Sequence, residues 1–554
     1  MLLPFLSLLA CPKGTETVAP TEAPGRCGPQ ADGSRTVAVL HINDVYRMAG
    51  LPDGRGGLAR VRTIRKQLEA ECGGPVLLTH GGDVLFPSML SHTFDGRQKV
   101  EVLNLLDGDP QAQDPHMVAV FGNHEFDRAK LKDAGHLDAL IDRSQFTWLD
   151  TNVRWVPSAG IESDNLAERQ LIDVNGVKVG IFGLTTDLKK PQYALIDTEH
   201  AKLASGQSQA LRDEGAEVVI ALTHLDIKSD MELMHATSEG PGPDLLLGGQ
   251  DHHEITQDAG SGRLVLKGQA DAVKVRAAWI TVAADGSVSV EPQTFELYPD
   301  KVEADPAVAG AVQAWTSAFE LSYCGDDYGS WGCLDQVYGK TNVPLVGDEL
   351  VLRRAESNLG NWVADSLVAS FEGAQVGLVN AGALRLNAEI PQGSEITRQT
   401  LEELLPYDDQ VVLLELSGAQ LKDVLEHAVQ GWPSSGQWLQ VSGLAFRHDI
   451  AAGSVTHVHL QTDEGLVQLK DDDTVKVATV IYLVDPSKGD QDGFGAEDAG
   501  GLNMGLVQEK KESLRGVLVE SLAANEGGIA PAVDGRICNS DAQDGSPCLV
   551  PAAE

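Results

Sequence analysis

The sequence predicts an α/β fold: a layered domain in the first half of the chain, then a second mixed α/β domain. Three observations predict it. From residue 36 to about residue 300, short apolar β-rich runs alternate with helix-period stretches, as in sheets covered by helices. Five of those runs lead straight into Asp, Asn, His or Gln, often beside glycine. Open α/β sheets place their ligands at the carboxyl ends of strands. A second alternation, opening with a helix, begins near residue 343.

Taken in order, residues 37–40, 76–79, 117–121, 178–183, 218–222 and 245–247 read as buried strands, and residues 58–71 and 207–214 have helical spacing between them. Residues 305–322 form a helical segment ahead of the loop that holds Cys324 and Cys333, an interdomain connector. The second domain opens with a helix over 358–371 and a strand over 376–380. A strand over 411–415, a helix over 418–429 with Ser417 near its start and a turn at 471–473 follow. The tail from Gly527 reads as loop. The expected divisions are a signal and tether over 1–34, a first domain over 35–300, a connector over 301–340, a second domain over 341–530 and a tail over 531–554.

A chain of 554 residues exceeds one hydrophobic core, and 42% apolar with 22% charged residues is ordinary globular composition. Acids outnumber bases 81 to 42, giving a formal charge of −39. That field repels phosphate backbones and argues against nucleic acid as a partner. A small anion is still acceptable, because local cations override a distant acidic surface. Beyond the N-terminus no apolar run approaches the ~20 residues of a spanning helix.

The start, Met1 to Cys11, is an apolar stretch ending in Leu8-Leu9-Ala10 and then Cys11. It resembles a bacterial lipoprotein signal with Cys11 lipidated, although no Lys or Arg precedes the apolar run. Residues 12–34 have the composition of a flexible tether. The expectation is an exported protein, periplasmic or at the cell surface, touching membrane only through that lipid. Of seven cysteines, six remain once Cys11 is set aside. Cys324/Cys333 and Cys538/Cys548 look like local staples, which leaves Cys27/Cys72; unpaired buried thiols are the alternative.

The chemistry sits where the strands end. Leu40 leads to His41-Ile42-Asn43-Asp44, and Thr79 to His80-Gly81-Gly82-Asp83. Phe121 leads to Gly122-Asn123-His124-Glu125-Phe126-Asp127, Leu222 to Thr223-His224, and Leu247 to Gly248-Gly249-Gln250-Asp251-His252. Mixed oxygen and imidazole donors converging on one rim suit divalent transition metals.

In that order the motifs resemble the calcineurin-like metallophosphoesterases, and more narrowly the 5′-nucleotidase branch that includes bacterial UDP-sugar hydrolase. Gly122 to Asp127 is the most specific match. The resemblance implies a four-layer αββα sandwich followed by a substrate-binding domain. It also implies two divalent metal ions, zinc, manganese or similar. Asp83 would bridge them; Asp44 and His252 would complete one site, and Asn123, His224 and Gln250 the other. His124 would stabilise charge on the phosphoryl oxygen, with Asp127 orienting it, while metal-activated hydroxide attacks phosphorus.

Two positions depart from the family pattern. Asp-x-His becomes Asp44-Val45-Tyr46, and Gly-His-x-His becomes Gly249-Gln250-Asp251-His252. A phenolate or an amide oxygen can ligate a hard ion, so Tyr46 is a ligand or a wall residue and each change loosens a site or shifts its metal preference. In the second domain, Arg353 matches the phosphate-contacting arginine. The run Asn380-Ala381-Gly382-Ala383-Leu384-Arg385 resembles the substrate loop, bringing Asn380 and Arg385. Tyr407 stands at a base-stacking position, and Asp492 falls in the loop Asp490 to Phe494 that resembles the substrate-side acid loop. The second stacking position falls at Pro486, or at Tyr482 with a shifted loop. The function implied is hydrolysis of nucleotides or related small phosphate esters. The alternatives are the same site acting on cyclic nucleotides, nucleotide sugars or a sulfur compound, and a degenerate surface binding protein without catalysis.

Overall fold

The computed structural model describes residues 25–323, 333–407, 409–433, 435–485, 493–494, 502, 504–511, 513–539 and 547–550. Cys11, Cys324, Pro486 and Asp492 lie outside the described residues.

The first domain is built on strands with two buried faces. In Arg35–Ile42, Val37 and Val39 enter one apolar cluster, whereas Ala38, Leu40 and Ile42 enter another. Alternation sends successive side chains to opposite faces, so a run apolar at every position needs cover on both. Val218–His224 does the same, with Val218, Ile220 and Leu222 on one side and Val219 and Ala221 on the other.

Two sheets result. One runs in the order Val288–Glu296, Lys274–Val282, Arg35–Ile42, Leu77–His80, Met117–Val120, Thr147–Leu149 and Leu166–Ala167, with Gly28–Pro29 added beside Arg35–Ile42. The other runs Ile255–Asp258, Leu264–Lys267, Leu245–Gly248, Val218–His224, Val177–Thr185 and Arg169–Val174. They face each other through one shared cluster. Leu58–Cys72, Ala134–Arg143 and Pro306–Tyr323 cover the outer face of the first sheet, and His200–Asp213 and Ile227–Ala236 that of the second. These are the four layers αββα.

Leu58–Cys72 shows how the cover is made. Leu58, Val61, Ile64 and Leu68 recur at helical spacing and are buried, each contributing about 1.5–3 kcal/mol. Gly73, at φ 70, ends the helix in the left-handed region. Cys72 in its last turn is bonded to Cys27, 45 residues earlier. Closing a loop of that length stabilises by up to about 4 kcal/mol on chain-entropy grounds. Replacing both cysteines by alanine is therefore expected to lower unfolding free energy by about 2–4 kcal/mol in denaturant titration. A change below about 0.5 kcal/mol would show that the denatured state is already compact there.

The second domain has a five-stranded mixed sheet, in the order Leu439–Ser442, Val376–Asn380, Thr474–Val480, Val411–Ser417 and Val507–Lys511. Asn358–Ala369 packs on it through Leu359, Val363 and Leu367. Gly418–Gln430 begins with Ser417 and Gln420 in a reciprocal capping box. Two readings differ from the structure. The helix read over 207–214 runs His200–Asp213, beginning well before residue 207, because Ala204 also reaches the core. The tail is not all loop: Ile537–Asn539 adds a parallel strand to Leu444–Asp449, next to the Cys538–Cys548 disulfide. Cys333 is also disulfide-bonded. Among the described residues no helix is long and apolar enough to cross a membrane.

Candidate active site

The sheets bring the strand ends to one rim. Asp44, Asp83, Gln250 and His252 there have φ of 51, 54, 76 and 59, the left-handed region that non-glycine residues seldom adopt. Such strain concentrates at functional sites. Two glycines make the turns possible. A Cβ on Gly82, at φ 86, would lie 2.5 Å from His224 Nδ1, and one on Gly122 would lie 2.2 Å from Asp83 Oδ1.

Asp44, Asp83 and His224 are buried, and their ligand atoms lie within 4.8 Å of one another. His224 Nδ1 donates to the Gly81 carbonyl at 2.6 Å, which turns Nε2 inward to 3.4 Å from Asp83 Oδ1. His252 Nε2 lies 3.4 Å from Asp44 Oδ1. The Tyr46 hydroxyl donates toward Asp83 Oδ2 at 2.8 Å and lies 2.9 Å from His252 Nε2. Gln250 meets the rim through its backbone, its N–H donating to Asp44 Oδ2 at 3.0 Å.

Charge is concentrated here. Burial pushes the His224 imidazole down, but Asp83 and Asp44 outweigh it and lift it to about 10. His252 is treated the same way by burial, then by Glu349 and Asp44, and rises to about 9. Burial pushes the Asp83 carboxyl up, yet His224 and His124 hold it well below the usual carboxylate range. The Tyr46 phenol is driven well above its ordinary value by burial and by Asp83 and Asp44.

His124 sits beside this rim. Its Nδ1 donates to Asp127 at 3.0 Å and its Nε2 lies 3.8 Å from Asp83 Oδ2. Burial lowers the imidazole, but Asp127 and Asp83 raise it above its ordinary value. Glu125, between them, has a task that the sequence reading did not assign. Its carboxylate accepts from the N–H groups of Asp83 (3.0 Å), Val84 (2.7 Å), Leu85 (2.8 Å) and Gly122 (2.6 Å). That lashes the Asp83 turn to the Asn123–His124 turn. A Glu next to His inside a tight motif was the available signal.

The second domain closes one side. Arg385 donates from Nε to the Gly382 carbonyl at 2.7 Å, and its guanidinium lies 5.9 Å from the centroid of the Tyr46 ring. Arg353 pairs with Glu349. Asn380 is buried at the end of Val376–Asn380. The Tyr407 ring lies 6.2 Å from that of His92; burial and then Asp127 push its hydroxyl up. Arg47, which sequence reasoning also missed, crosses between the domains. It pairs with Asp271 at 3.1 Å and donates to the carbonyls of Arg385 and Glu403. No local pattern marks Arg47, or Glu349 as the partner of His252, since those contacts join residues distant in sequence.

Behind the Asp44–Tyr46 turn, buried Lys99 donates to the Val45 carbonyl. Burial pushes its amine down from 10.5 to about 7. Between pH 7 and 10 the unfolded chain then holds a proton that the folded one has released, so stability rises with pH in that window. The amine's contribution to that rise is on the order of 3–5 kcal/mol. Lys99→Met is expected to flatten the rise, followed as the unfolding midpoint at pH 7 and pH 10. An unchanged slope would mean that Lys99 stays charged in the fold.

The rim suits a metal ion. His224 Nε2, beside the Asp44 and Asp83 carboxylates, and Asn123 Oδ1 are buried with no hydrogen-bond partner among the described residues. Buried polar atoms of that kind are expensive unless something binds them, and nitrogen and oxygen donors together suit zinc, manganese or iron.

Residues 37–254 match the calcineurin-like phosphoesterase family and residues 337–494 match the 5′-nucleotidase C-terminal domain. The chain is 24% identical over 554 residues to the trifunctional nucleotide phosphoesterase protein YfkN of Bacillus subtilis, covering 92% of this chain but 35% of that relative. It is 27% identical to snake venom 5′-nucleotidase of Crotalus adamanteus, covering 76% of this chain and 75% of the relative. Among solved structures, the 5′-nucleotidase precursor of Thermus thermophilus matches with a TM-score of 0.74 at 23% identity, over 91% of this chain and 99% of that one. The sulfate thiohydrolase SoxB of Thermus thermophilus matches at 0.67 and 16%, over 93% and 97%. Those two structural likenesses speak to the fold. The two family matches stand in the expected order and together span more than half of the chain. The chain therefore belongs to the 5′-nucleotidase family of calcineurin-like phosphoesterases, which are metal-dependent phosphoric ester hydrolases.

Proposed function

We propose that the protein is an exported enzyme that hydrolyses the phosphate ester of nucleotides. In this reading two divalent ions would be held here, with Asp83 shared between them, Asp44 and His252, with Tyr46 at the edge, serving one, and Asn123, His224 and Gln250 the other. When bound, such ions polarise the phosphoryl group and make hydroxide available near neutral pH.

The chain's own residues do the rest. His124, oriented through Nδ1 by Asp127, would present Nε2 to the phosphoryl oxygen, its imidazolium form carrying a proton there as charge develops. Arg353 and Arg385 bind the remaining oxygens, for which planar guanidinium donors suit well. Tyr407 offers a ring for the base. Asn380, in the substrate loop, and Asp492, outside the described residues, complete the substrate side. The observation that carries the reading is the cluster of Asp44, Asp83 and His224 with the His124–Asp127 pair beside it. Export is supported by the Cys27–Cys72 and Cys538–Cys548 disulfides, which persist in oxidising compartments.

The test is phosphate release from nucleoside 5′-monophosphates by chelator-stripped protein, with zinc or manganese then restored. Activity that returns only with metal is expected. Parallel arms with a cyclic nucleotide, a nucleotide sugar and a sulfate ester define the substrate class. No turnover of any of these, with either metal, would reject an enzymatic role and leave a binding protein.

A further inference from the structure

We infer that Glu349, a residue of the second domain, is a positioning residue for His252, so that the metal rim of the first domain is completed from across the domain interface. This rests on the reading of His252 as a metal ligand given above. Glu349 opens the short helix Glu349–Leu352, behind Asp348, whose side chain accepts from Leu350 N–H. Its carboxylate oxygens lie 2.9 and 3.0 Å from His252 Nδ1, and both residues are buried. Its own place is held by its N–H, which donates to Asn387 Oδ1 at 3.2 Å, and by Arg353 one helical turn on.

A histidine that ligates through one ring nitrogen needs a partner on the other, which selects the tautomer and sets the ring plane. His224 takes that partner, the Gly81 carbonyl, from its own domain. His252 takes it from a side chain 97 residues later. The orientation of His252 is thereby tied to how the second domain is seated. Arg353, placed above on the substrate phosphate, shares the same carboxylate. Anion binding at Arg353 and the aim of His252 therefore act on one group.

The experiment measures zinc affinity of the full chain by competition with a chromophoric chelator, for the parent, Glu349→Ala, Glu349→Gln and His252→Ala. Glu349→Ala is expected to weaken the zinc that His252 helps hold by about 10–100-fold. Glu349→Gln keeps the size and an acceptor, and is expected to lose less. Thermal midpoints in excess zinc should stay close to the parent. If His252→Ala weakens zinc binding while Glu349→Ala, or Glu349→Gln should the alanine variant not fold, equals the parent within twofold, the positioning role is overturned and the metal site stands. If the parent binds no zinc, or His252→Ala binds it as the parent does, the ligand reading fails and the inference falls with it.

Discussion

Replacing His124 by glutamine is expected to lower kcat by about 10²–10⁴-fold while metal content and KM stay near the parent values. The geometry separates the two effects. His124 Nδ1 is committed to Asp127, and its Nε2 stands 3.8 Å from Asp83 Oδ2, beside the rim. Asp127 and Asp83 raise the imidazole above its ordinary value against burial, which favours its cationic form. Glutamine can hydrogen-bond but cannot carry that charge, and the loss falls on the transition state. Steady-state kinetics with elemental analysis of the same samples check this. A variant within threefold of the parent would remove His124 from the chemistry.

Replacing Asp83 by asparagine should reach further, emptying the rim of metal and lowering turnover by about three orders of magnitude or more. Both carboxylate oxygens are engaged. Oδ1 accepts from His124 N–H at 2.9 Å and faces His224 Nε2 at 3.4 Å, and Oδ2 accepts from the Tyr46 hydroxyl at 2.8 Å. An amide turns one of these acceptors into a donor and removes the charge that offsets His224. Breaking a buried pair by removing one partner costs about 3–5 kcal/mol, so the metal-free variant should also melt earlier. Parent-like metal content with turnover within tenfold would show that Asp83 does not bridge.

Much of this was legible along the chain because the donors are local to strand ends. Strands apolar at every position announce sheets covered on both faces, and the residue after each announces the rim. Asp44, Asp83, His224 and His252 meet as that pattern implies. Gln250 is different. Its backbone amide holds Asp44, a contact that no side-chain pattern encodes. The first turns of the helix at His200 and the strand at Ile537 escaped because each depends on a distant partner, a neighbouring core in one case and the edge of a sheet in the other.

By itself the sequence indicated an α/β layered fold and the polar residues at the strand ends, since these follow from periodicity and residue types, while the four-layer order and the hydrolase class followed from its resemblance to the metallophosphoesterases. The tertiary structure alone decided which groups orient those donors. Glu349 on His252, Glu125 beneath Asp83 and Arg47 across the domains act over a few ångströms between segments whose separation along the chain carries no period and no motif. Electrostatic and hydrogen-bond energies depend on distance in space, and folding alone sets that distance.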